Sequence, residues 1–264
     1  MTNLILKSEI LNNVLENKSI TRQEIIEIYQ KSIQSPNDLF LTAQELRIKN
    51  KGNTVTFSKK AFLNIINLCK DTCSYCTYKA EPGDEKISLM SKQQINQVLE
   101  LAKKYKCVEA LFVTGEQPEK KYPEAQEWLK ENGFKSTTEY LVHSSEIALE
   151  LGLFPHTNAG NLNFEEMKEL KKTNVSMGIM LENVSERLTK KGMPHYLAAS
   201  KKPQTRLKIL ENSGELKIPM TTGILVGIGE NMEECIQSIL DIKQIQDKYK
   251  NIQEIILQNF HPKP

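Results

Sequence analysis

Six short apolar runs rich in β-prone residues recur along the chain from residue 61 onward. They are "AFLNIINL" (61–68), "VEALFVTG" (108–115), "GLFPHTN" (152–158), "VSMGIML" (175–181), "IPMTTGILVGI" (218–228) and "IQEIILQNF" (252–260). Helix signals lie between them. Ser91-x-x-Gln94, Asn163-x-x-Glu166 and Asn231-x-x-Glu234 each have capping-box form and each precedes an apolar-periodic segment. Strands alternating with helices in this way imply an α/β fold whose parallel sheet is joined by right-handed crossovers.

The spacing fits either a (β/α) barrel or a doubly wound sheet. No G-x-G-x-x-G follows the first strand, and polar residues follow the ends of several different strands, which is where barrels build their sites. These residues are Cys69, then Gly115 and Glu116, Asn158, Glu182, Gly227 to Glu230, and Gln258 with Asn259. The expectation is a partial (β/α) barrel of TIM-barrel type with six parallel strands over residues 55–264. Residues 1–54 form an N-terminal helical extension, in which "TRQEIIEIYQ" opens with a capping box from Thr21 to Glu24 and sets Ile25, Ile26, Ile28 and Tyr29 on a stripe. The chain stops at "NFHPKP", right after the sixth strand. This implies either an open six-stranded barrel or a C-terminally truncated one.

Charge narrows the function classes. The 264 residues carry 35 basic and 33 acidic side chains, a net of +2, where a nucleic-acid binder is normally strongly basic. "MTNLILKSEILNN" meets a Lys and a Glu too early for a signal peptide, and no apolar run is long enough to span a bilayer. The expectation is a cytoplasmic protein with neither nucleic-acid nor membrane partners. In that reducing setting clustered cysteines bind metal or do chemistry more often than they form disulfides.

Three of the five cysteines fall in "CKDTCSYC", as Cys69, Cys73 and Cys76 with C-x3-C-x2-C spacing. Structural zinc takes four ligands, and neither Cys107, Cys235 nor the nearest downstream histidine, His143, looks placed to complete the set. Three thiolates suit a cubane iron–sulfur cluster better, with one iron left open for a substrate or cofactor. Three incidental loop thiols are the bland alternative, and exposed thiols at such density are rarely tolerated.

With Tyr75 before the last cysteine, this loop resembles the signature of the radical S-adenosylmethionine enzymes. The resemblance covers residues 55–264 and implies one 4Fe-4S cluster held by Cys69, Cys73 and Cys76, and S-adenosyl-L-methionine as cofactor. Its reductive cleavage yields a 5′-deoxyadenosyl radical that abstracts hydrogen from a substrate. "TGEQP" stands where that superfamily holds the methionyl amino group, with Thr114 in place of the first glycine, and so implicates Gly115 and Glu116. "GILVGIGE" (223–230) resembles its fifth-strand pattern with Leu225 for Ile, and implicates Gly227. "MLENVSERL" implicates Glu182 and Arg187 in holding ribose hydroxyls and the methionine carboxylate. Tyr75 and Asn158 complete the expected cofactor-binding set.

Longer stretches, among them "EALFVTGEQPEKKYPEA", "LFPHTNAGNL", "KGMPHY" and "IQEIILQNFHPKP", are similar to the family of CofG-type subunits of 7,8-didemethyl-8-hydroxy-5-deazariboflavin synthase. This family commonly has Gly-Asp where the chain has Gly115-Glu116, and its members continue past residues 263–264. The resemblance implies ring closure of a hydroxybenzyl-ribityl-uracil substrate with loss of ammonia. It also implies a sister radical S-adenosylmethionine subunit that supplies this adduct, and a ferredoxin- or flavodoxin-like electron donor. His156, His195 and Glu182 are the expected catalytic groups, because a neutral histidine can accept the phenol proton or the proton lost on ring closure. Tyr196, Gln258 and Asn259 are further candidates for substrate contact. The alternatives are the sister tyrosine-dependent enzyme, another biotin-synthase-like radical enzyme, or a zinc or electron-transfer module.

Overall fold

A computed structural model describes residues 8–262; the last two residues of "NFHPKP" lie outside them. In chain order the elements are helices α1 (Glu9–Leu15), α2 (Arg22–Gln34) and α3 (Asn37–Lys51), then strand β1 (Lys60–Ile66). Next come α4 (Lys92–Lys104), β2 (Glu109–Thr114), α5 (Pro123–Glu131), α6 (Thr137–Glu150), β3 (Phe154–Asn158), α7 (Phe164–Leu170) and β4 (Ser176–Gly178). Helix α8 (Pro203–Glu215), β5 (Met220–Val226), α9 (Met232–Tyr249) and β6 (Ile252–Asn259) complete the order. The chain divides into two compact units between Phe57 and Ser58.

The first unit is helical. Its capping box is formed: Thr21 N–H donates to Glu24 Oε2 at 2.7 Å and Glu24 N–H donates to Thr21 Oγ1 at 3.2 Å. Of the stripe on α2 only Ile26 is buried.

The second unit is a single parallel sheet in the order β1-β2-β3-β4-β5-β6. A doubly wound sheet reverses its strand order at a switch point. Here the order follows the sequence throughout, as in a barrel. The three expected capping boxes all form, at the starts of α4, α7 and α9. Each satisfies two of the backbone N–H groups that a helix start leaves without partners. Leu63 and Ile65 of β1, Phe112 of β2, Ile95 and Leu99 of α4, and Tyr140 and Leu141 of α6 belong to one buried core between sheet and helices. Burial of each such side chain contributes roughly 1.5–3 kcal/mol. That core fixes where the C-terminal strand ends converge.

β4 is shorter than the apolar run 175–181 suggests. It pairs with β3 only at His156↔Ser176 and Thr157↔Met177. Beyond Gly178 the chain leaves β3 but stays with β5: Ile179 N–H donates to Thr221 O, Glu182 N–H to Gly223 O, and Leu225 N–H to Glu182 O. Glu182 has φ +66, a left-handed conformation costly for a side chain of this type. The backbone strain thus sits where the side chain turns into the barrel mouth.

Candidate active site

The cysteine loop is built against the end of β2. Gly115 N–H donates to Ile66 O at 2.7 Å and Lys70 N–H to Glu116 O at 2.9 Å. A Cβ on Gly115 would lie 2.0 Å from Leu68 O, so only glycine lets the two backbones approach this closely. Glu116 N–H points at Cys69 Sγ, 3.2 Å away. The far side of the loop is clamped by the segment before α8. Ser74 N–H donates to Pro194 O and Thr72 Oγ1 to Tyr196 O, both at 3.0 Å, and the Ser200 hydroxyl donates to Asp71.

Cys69, Cys73 and Cys76 line one cavity of about 180 Å³, together with Tyr75, Gly115, Glu116, Asn158 and Glu182 from the strand ends. A neighbouring cavity of about 230 Å³ shares Tyr75, Cys76 and Glu182 and adds Gln258 and Asn259. The two cavities therefore adjoin along shared walls.

The electrostatics follow from burial. Burial raises the Cys69 thiol above its ordinary value and raises Cys73 to about 11. Glu116 is raised by burial against the opposing effect of Asn161 N–H, which donates to its Oε2 at 2.9 Å. Burial acts upward on Glu182 too. There, however, the Lys201 ammonium at 2.5 Å and the charge of Arg206 win, and the carboxyl is held below its ordinary value. Burial, with Lys201 and Arg206, lowers His195 to about 4. His195 is therefore neutral at pH 7, and its Nε2 lies 3.1 Å from the Tyr75 hydroxyl.

The other expected residues lie elsewhere. His156 is on the same face of β3 as Asn158 but one layer deeper, since side chains two apart on a strand share a face. Its Nδ1 meets Ser176 Oγ at 2.7 Å, and a Cβ on Gly178 would sit 2.8 Å from its Nε2. Arg187 does not line the cavity with the cysteines. Its guanidinium is held by Glu234 and by the Gly229 carbonyl, each at 2.7 Å. Gly227 (φ +99) gives its N–H to Glu230 Oε1 at 2.6 Å and is likewise outside the cavity lining.

Four residues with polar or charged side chains in the lining were not foreseen: Asp71, Ser200, Lys201 and Arg206. Arg206 is buried and spends its donors on Ser200 O, Met180 O and Ser200 Oγ. Through Ser200 it fixes Asp71, and so the cysteine loop. Asp71 stands inside "CKDTCSYC" itself. Lys201 and Arg206 belong to "SKKPQTR", which follows no strand, so only the Lys-Lys-Pro run before a helix start hinted at them.

Among the described residues no three Cys, His, Asp or Glu side chains converge on a point suited to one metal ion. Tetrahedral zinc needs such convergence. A cubane cluster does not, because each thiolate takes a different iron and the three stand apart. All three cysteines are free thiols on one cavity wall, and one sulfur receives a backbone N–H of the kind that tunes cluster potentials. This donor set fits an iron–sulfur cluster.

The model of the family described as Radical SAM superfamily matches residues 63–242. The chain belongs to the radical SAM superfamily. It is 42% identical over 211 residues to 7,8-didemethyl-8-hydroxy-5-deazariboflavin synthase of Methanopyrus kandleri, covering 80% of this chain and 63% of that protein. It is also 42% identical over 246 residues to the protein of that name from Methanococcus maripaludis strain C6, covering 93% of this chain and 68% of the relative. The chain thus spans about two thirds of the length of these curated relatives. Among solved structures, methylornithine synthase (PylB) matches with a TM-score of 0.73 and 17% identity over 96% of this chain and 68% of that one. At that identity the match speaks for the radical SAM barrel fold alone. Among the described residues no helix is long and apolar enough to cross a membrane.

Proposed function

We propose that this chain carries the radical-generating barrel of a CofG-type subunit. That subunit forms 7,8-didemethyl-8-hydroxy-5-deazariboflavin from 5-amino-5-(4-hydroxybenzyl)-6-(D-ribitylimino)-5,6-dihydrouracil with release of ammonia, a step in deazaflavin coenzyme F-420 biosynthesis. The observation that carries the reading is 42% identity to relatives of that name over 80% and 93% of the chain. Cys69, Cys73 and Cys76 would hold a 4Fe-4S cluster. Together with S-adenosyl-L-methionine this group supplies, when bound, a 5′-deoxyadenosyl radical that takes hydrogen from the substrate.

The chain's own residues bind, orient and move protons. Glu116 keeps one carboxylate oxygen for the methionyl amino group while the other holds Asn161 N–H. Lys201 and Arg206 bring positive charge to the same wall, which suits the methionine carboxylate better than the distant Arg187. Asn158 and Glu182 offer acceptors to ribose hydroxyls. Tyr75 borders both cavities, and its buried hydroxyl stays protonated because burial raises it. Neutral His195 behind it, with Nε2 3.1 Å away, offers a hydrogen-bond acceptor to that hydroxyl. Ring closure releases a proton beside Tyr75, and the Tyr75–His195 pair is placed to take it. His156, one layer down and bonded to Ser176, is proposed as a support beneath Asn158. The reading also assigns a sister radical SAM subunit as the source of the adduct, a small one-electron carrier as donor, and a cytoplasmic setting.

The test is anaerobic turnover of reconstituted protein with S-adenosylmethionine, dithionite and the adduct. Fluorescent deazaflavin is expected. Formation of 5′-deoxyadenosine that depends on tyrosine instead would move the assignment to the sister enzyme.

A further inference from the structure

A third hollow lies behind the cysteine wall. It is open to solvent, about 510 Å³, and lined in part by Lys70, Gln117, Asn161, Thr205 and Lys208. It also shares Glu116 and Ser200 with the cysteine cavity. The partition between the two is one residue thick. Glu116 N–H donates to Cys69 Sγ at 3.2 Å, and Lys70, covalently next to Cys69, donates its N–H to Glu116 O at 2.9 Å.

The hollow has Lys70 and Lys208 in its lining and Lys121 beside it, bonded to Lys70 O. Lys208 is exposed, its nearest carboxylate being Glu211 at 3.8 Å. Lys121 is exposed, sits 5.1 Å above the Tyr122 ring and reaches Lys70 O at 3.3 Å. Tyr122 in turn donates its hydroxyl to Cys69 O at 3.0 Å. Two short routes therefore run from lysine-bearing surface to Cys69. The floor carboxylate, Glu116, is buried and turned to Asn161 N–H. The other approaches to the cysteines are taken. The Cys73 side lies under residues 194–201, which clamp the loop, and the Cys76 side opens on the cavity that the proposed reaction needs for its substrate.

We propose that the hollow and its Lys70–Lys121–Lys208 rim are the docking surface for a small acidic one-electron carrier protein. The inference rests on the proposed radical SAM function, which needs an electron from outside the chain. Charge complementarity selects the occupant: lysines around a polar hollow attract an acidic surface. Electron-transfer encounters are small and charge-guided rather than apolar. The step is a bare electron transfer. The carrier is oxidised by one electron and the group held at Cys69 is reduced by one. No bond is made or broken.

The experiment measures binding of a labelled acidic flavodoxin to the reconstituted protein by fluorescence anisotropy, at low and high salt. Lys121→Glu/Lys208→Glu should weaken binding by about tenfold or more, and salt should weaken binding to the unmodified protein. A control pair, Lys171→Glu/Lys172→Glu at the opposite end of the barrel, should stay within about twofold of wild type on the same grounds. Dithionite-driven formation of 5′-deoxyadenosine should be the same in all three proteins. Equal affinity for wild type and the Lys121/Lys208 variant, or binding indifferent to salt, overturns the proposal. Absence of 5′-deoxyadenosine from wild type with dithionite overturns the proposed function instead, and the binding isotherms still decide the docking surface.

Discussion

The two ends of the same six strands are polar for different reasons. At the N-terminal ends, Lys60 meets Glu109 at 3.2 Å, Ser58 Oγ donates to Glu109 at 2.8 Å, and His156 meets Ser176 at 2.7 Å. These groups pair with one another. At the C-terminal ends the polar groups are held in place yet keep capacity for something else. Three free thiols line a cavity, Glu116 has one oxygen engaged, and Glu182 is strained, buried and tied to Lys201. A barrel separates stability from chemistry along its axis, and the sign of chemistry is a partner that positions a group without exhausting it.

The sharpest way to break that contrast is Cys73→Ala. It should lower 5′-deoxyadenosine formation by about a thousandfold or more, equivalent to roughly 4 kcal/mol or more in barrier, and reduce bound iron on assay. Cys107→Ala and the N-terminal-end variant His156→Gln should both keep their iron. Iron lost from His156→Gln would mean that the two ends are not independent.

Lys201→Met should come next. It leaves Glu182 buried and unpaired, a change of about 3–5 kcal/mol readable as a shift in denaturant midpoint. Its counterpart Lys60→Met removes a partly exposed pair and should cost at most about 1 kcal/mol. Glu182→Gln added to Lys201→Met should recover part of the loss. Because the Glu182 carboxyl is held below its ordinary value, its contribution is present above that value and disappears as pH falls through the lower folded one.

Much of this was legible in the sequence, for reasons that can be stated. Strand position is written in local apolar runs and helix starts in the Ser91, Asn163 and Asn231 capping boxes, all short-range signals. The cysteines and Tyr75 share one loop, so their meeting needed no tertiary knowledge. Arg206 and Lys201 reach the same cavity from a segment that follows no strand, over 120 residues later. The packing of residues 194–200 against the cysteine loop brings them there. Arg187 shows the converse. Its proximity to Glu182 in sequence is undone by the left-handed turn at Glu182, after which the chain heads for Glu234.

The two buried histidines make the comparison measurable by pH. His195 titrates near 4 when folded, against an ordinary value of 6.5. Between those values the unfolded chain binds a proton that the folded chain refuses, so stability falls as pH drops through this window, by roughly 3 kcal/mol in all. His195→Gln should flatten the dependence. Burial lowers His156 as well, while the Glu109 charge works against that shift. His156→Gln should therefore flatten the pH profile less. Denaturant melts of the three proteins across roughly pH 4 to 7, the window set by the histidine shift, give the comparison directly.

The smallest expected effect is at Arg187. Its side chain is 43% exposed and its partner Glu234 is held down at about 2, chiefly by the hydrogen bond from Arg187. An exposed pair of this kind contributes little to stability. Glu234 also caps α9 through Asn231 N–H at 2.8 Å and accepts the Ser185 hydroxyl at 2.5 Å, so it keeps partners when Arg187 is removed. Arg187→Ala should thus cost little stability and leave S-adenosylmethionine affinity, measured by equilibrium dialysis on the reconstituted protein, unchanged. Arg206→Lys, by contrast, cannot reproduce three directed donors to Ser200 and Met180 and should weaken that affinity by loosening Asp71 and the cysteine loop. A loss of affinity of about tenfold in Arg187→Ala, some 1.4 kcal/mol, would return Arg187 to the cofactor site and place the functional boundary of the barrel mouth beyond Glu182, at the start of α9.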